Sequence, residues 1–216
     1  MNNEIGIKPS EDLAYWVGVV QSDGYLDKYH DKKRKRFYHR ISVDVSKKSL
    51  SMLEKFLNIS KMTFGSNIRI YECKNEVFKC TLGTQRLEKF FDKLDIQISD
   101  PPNPPSWTLN CAKFFGAYLA GIIDGDGTIN ISRKDSKGRI RIFSKGEQKK
   151  LIEYIQRILN CSANTRFYKG CYHLEFKISS KNYKFLKKFV LPCLAIMNKS
   201  EKLENFIHDK FEQNIS

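Results

Sequence analysis

The sequence predicts an α+β protein of two pseudo-symmetric αββαββα lobes, each a four-stranded antiparallel sheet backed by helices, on one chain of 216 residues. Three observations carry this. A helix-like segment recurs at a constant offset: Ala14, Gly18, Asp23 and Gly24 stand 103 positions before Ala117, Gly121, Asp126 and Gly127. The hydrophobic pattern after each copy switches between the two regular periods in the same order. Four of the six prolines, Pro101, Pro102, Pro104 and Pro105, cluster between the copies. Such a cluster cannot be helix or central strand, and favours a stiff, extended connector. The expected organisation is an N-terminal lobe over 1–96, a Pro-rich linker over 97–110 and a C-terminal lobe over 111–216.

The elements follow in order. A helix is expected over 11–23, then strands near 25–30 and 36–45. Leu50, Leu53 and Leu57 sit at helical spacing in a helix over 49–58. Strands near 66–72 and 77–82 and a helix near 85–94 complete the first half. The second half gives a helix at 111–126, strands near 128–134 and 139–143, and a helix at 147–159. Strands near 164–168 and 172–179, a helix near 181–190 and a tail helix over 200–210 close the chain.

Composition narrows the partners. With 41% apolar and 12% aromatic residues, a buried core is within reach and wholesale disorder is excluded. The formal net charge of +14 points to a polyanion, most often nucleic acid. None of the six cysteines lies in a CxxC pair, so they read as reduced, mostly buried thiols of an intracellular protein. Residues 1–12 lack the apolar core of a signal peptide. The apolar run 114–123 is too short to span a bilayer, so no membrane partner is expected.

The repeated helix carries the chemistry. Ala14, Gly18 and Ser22 are spaced i, i+4, i+8, as are Ala117, Gly121 and Gly125. Each set lays a stripe of small residues along one helix face, which lets two backbones approach closely. The simplest partner for each stripe is the other; packing of each helix against its own sheet is the alternative. Self-pairing within one chain predicts a monomer. Asp23 and Asp126 end the two helices, each followed by a glycine suited to a left-handed cap. A carboxylate there opposes the negative end of the helix dipole, and two such helices side by side add mutual repulsion. Divalent cations would offset both costs. Oxygen ligands with open positions suit Mg²⁺, which keeps waters and accepts phosphate oxygens.

Leu119-Ala120-Gly121-Ile122-Ile123-Asp124-Gly125-Asp126-Gly127 closely resembles the motif of the LAGLIDADG homing endonuclease family, and Trp16 to Gly24 resembles it more loosely, with Gln21 at the first acid position. The two-copy layout is similar to single-chain members. The resemblance implies two lobes packed through the motif helices, and site-specific cleavage of both strands of DNA by divalent metal. It implies that Asp23 and Asp126 ligate the metal, assisted by the backbone carbonyls of Ser22 and Gly125, and that the earlier acid position is structural. Members also place basic side chains near the scissile phosphates; Lys47 or Lys48 and Lys145, after the second strand of each lobe, match that location, and Lys199, before the tail helix, is a further candidate. The first lobe has no obvious counterpart to Lys199.

Strand alternation supplies a DNA-reading surface. Arg36, Tyr38, Arg40, Ser42 and Asp44 share a face in the first half, with Arg69, Tyr71, Lys79 and Thr81 on neighbouring strands. Lys28 and Arg34, the latter in the basic run at 30–36, extend it. The second half offers Asn130, Ser132, Lys134, Arg139, Arg141, Arg166, Tyr168, His173, Glu175 and Lys177. Basic β-surfaces enter the major groove, where such side chains read base edges. Two sheets side by side would cover roughly two turns of duplex. Two other readings use the same scaffold: an RNA-binding intron maturase, and a non-cleaving DNA-binding regulator. The Lys, Ile and Asn content suggests an AT-rich genome, as in organelles or prokaryotes.

Overall fold

The computed structural model describes residues 7–33, 35–65, 68–84, 87–98, 101–132, 134 and 136–213. The first lobe runs α1 (Glu11–Ser22), β1 (Gly24–Asp31), β2 (Arg36–Ser46), α2 (Leu50–Phe64), β3 (Ile70–Glu72), β4 (Val77–Thr84) and α3 (Leu87–Lys93). The second runs α4 (Ala112–Asp126), β5 (Gly127–Ser132), β6 (Lys137–Ser144), α5 (Lys149–Leu159), β7 (Ala163–Tyr168) and β8 (Cys171–Ile178), then a helix, α6, from Tyr183 that widens over Leu186–Val190. A tail helix, α7 (Met197–Ile207), follows. The sheets have the same antiparallel order, β1-β2-β4-β3 and β5-β6-β8-β7. The strand expected over 66–72 is shorter, Ile70–Glu72, and residues 66 and 67 lie outside the described part.

Each lobe folds around its motif helix. The hydroxyl of Ser10 caps α1 by accepting from the backbone N–H of Leu13, and Glu11 and Asp12 complement the positive end of the helix. Trp16 then enters the first core, stacked on Phe56, with its indole N–H donating to the Ser60 hydroxyl at 2.8 Å. Ile41, Val43 and Leu82 from the sheet close on it, all fully buried. In the second lobe Phe115 meets Tyr154 and Phe185 while Ile140, Ile142, Leu174 and Phe176 line the sheet side. All six cysteines are free thiols, but only Cys80 is buried, so the expectation of mostly buried thiols holds for one of them. No helix among the described residues is long and apolar enough to cross a membrane.

The two small stripes face each other. A Cβ placed on Gly18 would lie 2.3 Å from the Tyr118 carbonyl oxygen, and one on Gly121 would lie 2.3 Å from that of Tyr15. The two contacts exchange under the 103-residue offset, Gly18 for Gly121 and Tyr15 for Tyr118, and the two glycines face each other, so α1 and α4 lie parallel with corresponding residues abreast across a pseudo-twofold axis. Packing of each stripe against its own sheet is thereby ruled out.

The glycines after the two aspartates work differently from the expected left-handed caps. Gly24 and Gly127 are absent from the positive-φ glycines, and Gly127 is extended, with φ −93° and ψ 154°. Each opens a strand that leaves the helix flush against the previous turn. A Cβ on Gly24 would lie 2.4 Å from the Val20 carbonyl oxygen, and one on Gly127 would lie 2.5 Å from the Ile123 Cα. Glycine is needed there for space, and it makes β1 and β5 start at the acids.

Candidate active site and nucleic-acid interface

At the ends of the interlocked helices the acids come together. Asp23 caps α1 and Asp126 is the last residue of α4. A Cβ on Gly125 would lie 2.1 Å from Ser22 Oγ and 3.1 Å from Asp23 Oδ2, so the first lobe's acid rests directly against the second lobe's motif. The Ser22 hydroxyl donates back to the carbonyls of Gly18 and Val19, keeping the side chain small and tucked in. Burial pushes the Asp23 carboxyl up to about 6, against the opposing pull of Lys199.

Lys199 is tied to this point. Its Nζ donates to the carbonyls of Ile123 and Asp124 at 2.6 and 2.7 Å, which caps the negative end of α4. Burial lowers its pKa below that of an ordinary lysine, while Asp124, Asp23 and Asp126 pull it back up. Its position at the start of α7 has no matching cation in the first lobe, where residue 96, 103 positions earlier, is the buried Ile96. Lys47 and Lys48 are exposed in the short turn that opens α2, and Lys145 is exposed just after β6.

The first acid positions, Gln21 and Asp124, are anchors. Tyr15 donates across the interface to Asp124 Oδ2 at 2.8 Å, and Tyr118 donates to Gln21 Oε1 at 2.7 Å. Asp124 also accepts the backbone N–H groups of Ala195 and Ile196, leading into α7. Gln21 instead donates to the carbonyls of Gln97 and Asn103 and accepts from the Asn103 N–H. A carboxylate could not make the donations to two carbonyls, which explains why an amide replaces the acid in this lobe. Both tyrosines escaped the sequence reading, although they keep the same offset of 103. Lys55 was missed too: its Nζ donates to the Cys193 carbonyl and lies 3.9 Å from the Tyr15 ring centroid, linking the lobes beneath the site.

The sheet faces are more paired than alternation suggested. Register places Arg40 opposite Asp27, Ser42 opposite Thr81 and Asp44 opposite Lys79. Arg40 forms an ion pair with Asp27, and Lys79 bonds Tyr25 and lies 3.5 Å from Asp44. Ser42 is only 4% exposed and shares a hydrogen bond with Thr81, so it is corrected from reader to support. Lys28 pairs with His39 in the strand register, but its side chain lies outside the described part; Tyr25 and Asp27 stand in the Arg40 row. Arg36 and Tyr38 lie on β2, but their side chains lie outside the described part. Arg34 lies outside the described residues. Tyr71 is exposed opposite Lys79, and Arg69 is exposed just before β3 begins.

On the second sheet Glu175 bridges Arg139 and Arg141 at 2.7 and 2.5 Å. Its desolvation would raise its pKa, but the two guanidiniums hold it below the ordinary glutamate value. Asn130, Ser132, Arg166, Tyr168 and Lys177 are exposed as expected, and Lys134 is exposed beyond the end of β5. His173, expected on the open face, is only 8% exposed because Phe143 and Tyr168 cover it.

The comparisons agree with this arrangement. The family model described as LAGLIDADG endonuclease matches residues 119–213. That match covers the second lobe, and the fold of the whole chain is that of two-lobed homing endonuclease structures. The structure of I-DmoI in complex with DNA and calcium is 18% identical, with a TM-score of 0.62, over 90% of this chain and 97% of that one. A variant of I-DmoI with its target DNA and magnesium is 19% identical, with a TM-score of 0.59, over 83% and 96%. A variant of I-SmaMI is 16% identical, with a TM-score of 0.57, over 94% of each chain. No curated protein sequence matches. The family match falls on the second motif helix and does not extend to residues 16–24.

The raised Asp23 carboxyl gives a pH prediction for the metal-free protein. Below the ordinary value of 3.8 the group is protonated whether folded or unfolded, and it costs nothing. As pH rises from there through about 6, the unfolded chain releases the proton first, so native stability falls. Asp23→Asn removes that loss. Its melting temperature should exceed the parent's above pH 6, with the gap closing near pH 4. A gap independent of pH would show that Asp23 is not held in a desolvated place.

Proposed function

We propose that the chain is a site-specific endonuclease that hydrolyses phosphodiester bonds on both strands of double-stranded DNA with divalent metal, Mg²⁺, at Asp23 and Asp126. The observation that carries this is the meeting of one acid from each lobe at the ends of two parallel, interlocked helices. There the Asp23 carboxyl sits against Gly125, and Lys199 acts on both acids.

The residues suit the metal. Among the described residues no group of three or more His, Cys, Asp or Glu side chains could hold an ion by itself. Two carboxylates, supplemented by the carbonyls of Ser22 and Gly125, leave coordination positions for water and phosphate oxygens, the arrangement Mg²⁺ favours. When bound, such an ion activates water and stabilises charge on the leaving oxygen. I-DmoI is known with DNA together with calcium, manganese or magnesium, which supports a divalent ion. Asp23 and Asp126 bind from opposite lobes, so each strand can meet one acid. Lys199 holds the end of α4 in place and supplies positive charge beside the site; Lys47, Lys48 and Lys145 are candidates for the same service toward phosphates. The two sheets bind the duplex with their polar faces, Arg40, Arg139 and Arg141 foremost. The chain acts as a monomer, because α1 and α4 already satisfy each other. The lobes are 1–96 and 111–216, with 97–110 connecting them.

The test is to incubate the purified chain with a fragmented or randomised duplex library in Mg²⁺ and sequence the new ends, with a chelator control. Paired ends at a fixed stagger within one recurring sequence of about two helical turns are expected. Ends scattered without a common sequence, or no chelator-sensitive ends, would remove the proposal.

A further inference from the structure

On the open face of the second sheet the polar row of β6, Arg139 then Arg141, ends at Phe143. Register sets Phe143 opposite His173 on β8 and His173 opposite Arg166 on β7. The Phe143 and His173 rings meet edge to face at 4.7 Å between centroids, and Tyr168 meets His173 edge to face at 5.7 Å. The imidazole is buried between them and offers no hydrogen bond outward. Its Nε2 lies 3.2 Å from Cys171 Sγ, and its Nδ1 is buried without a hydrogen-bond partner among the described residues. Tyr168 remains 52% exposed. The result is an aromatic island on a face otherwise built from Arg139, Arg141, Glu175, Arg166 and Lys177. It lies toward the end of the sheet where β5 begins, next to Asp126, since Gly127 pairs with Ile142.

In the major groove one base edge is apolar, the 5-methyl group of thymine, and aromatic or other apolar side chains are what recognise it. Phosphates and the polar edges of the bases would instead be served by the flanking arginines. We propose that Phe143 and Tyr168, supported from below by His173, form a specificity-determining contact to the 5-methyl group of a thymine in the half-site under the second lobe. This rests on the DNA-cleaving reading above. Cross-strand aromatic packing that merely stabilises the sheet is the competing explanation, and it makes no distinction between bases.

The probe is a random duplex library prepared in two forms, with thymine or with uracil, which differ only by that methyl group. Sequences retained by the full chain in calcium buffer are read out. In the thymine library, T should be enriched at one or two adjacent positions of one half-site. In the uracil library that enrichment should fall about fourfold, the equivalent of one buried methyl, with the rest of the profile unchanged. Phe143→Ala and Tyr168→Ser should each erase the difference, and Phe143→Leu should keep it. Tyr168→Ser, at an exposed hairpin position, decides the matter should Phe143→Ala fail to fold. Identical thymine and uracil profiles, or a difference that survives Tyr168→Ser, would overturn the inference while leaving DNA binding standing. Retention of neither library would instead refute the DNA reading, and the inference with it.

Discussion

Asp23→Asn and Asp126→Asn should each abolish double-strand cleavage, lowering the rate on the order of a thousandfold or more, while DNA affinity changes only a few-fold. Removing a metal-ligand charge forfeits several kcal/mol of transition-state stabilisation, and each 1.4 kcal/mol is a decade of rate. Affinity is set elsewhere, over the sheet faces, and losing one carboxylate beside the phosphates relieves repulsion. The two single variants should behave alike despite the asymmetry of the site, because each lobe contributes one acid. Asp124→Asn makes the contrast. Asp124 accepts two backbone N–H groups and the Tyr15 hydroxyl, so its substitution should act first on stability and on the seating of α7. The check is cleavage of a plasmid carrying the recovered site, read beside binding and thermal melting for all three variants. Full cleavage by Asp23→Asn or Asp126→Asn would falsify the metal-ligand assignment.

Much of this was legible in the residues. The constant offset between Ala14 and Ala117, Gly18 and Gly121, and Asp23 and Asp126 announced a duplicated unit. The i, i+4 spacing of small residues announced what the copies do to each other. Alternation correctly put Ile41, Val43, Ile140 and Ile142 inside. It could tell side from side but not depth. Ser42 and His173 are on the predicted face, yet Thr81 in one case and Phe143 with Tyr168 in the other cover them. Such covering depends on which strands become neighbours, and the order β1-β2-β4-β3 is not local information. Gly24 and Gly127 show a second limit. Their need was read as conformational, but it is steric, set by a strand pressed against the turn it has just left. The crossing tyrosines needed only the same offset applied to one more pair, and the amide at Gln21 became intelligible once its partners were seen to be carbonyls.

The largest structural effect should come from the centre of the pseudo-twofold axis. In Gly18→Ala or Gly121→Ala the new methyl would sit 2.3 Å from a carbonyl oxygen of the other helix and about 3 Å from its backbone nitrogen and the facing glycine Cα. No side chain can swing aside, because the obstruction is backbone on both helices. The helices must therefore separate, and that motion also stretches Tyr15–Asp124 and Tyr118–Gln21, which span the same gap. Overpacking a core usually costs 1–3 kcal/mol, and a rigid backbone clash belongs at or above the upper end, about 3 kcal/mol. For a chain of this size that corresponds to a drop of roughly 6–12 °C in melting temperature. Cleavage should fall further than stability alone explains at temperatures where the variant remains folded, since separation of α1 from α4 also moves Asp23 off Gly125. Gly65→Ala is the control: a Cβ there meets nothing within 4 Å, and its only burden is the positive φ of 60° at the end of α2. It should lower stability by about 1 kcal/mol and leave cleavage intact. Equal effects of Gly18→Ala and Gly65→Ala on both measurements would mean that close contact between the two motif helices is not what holds the acids together.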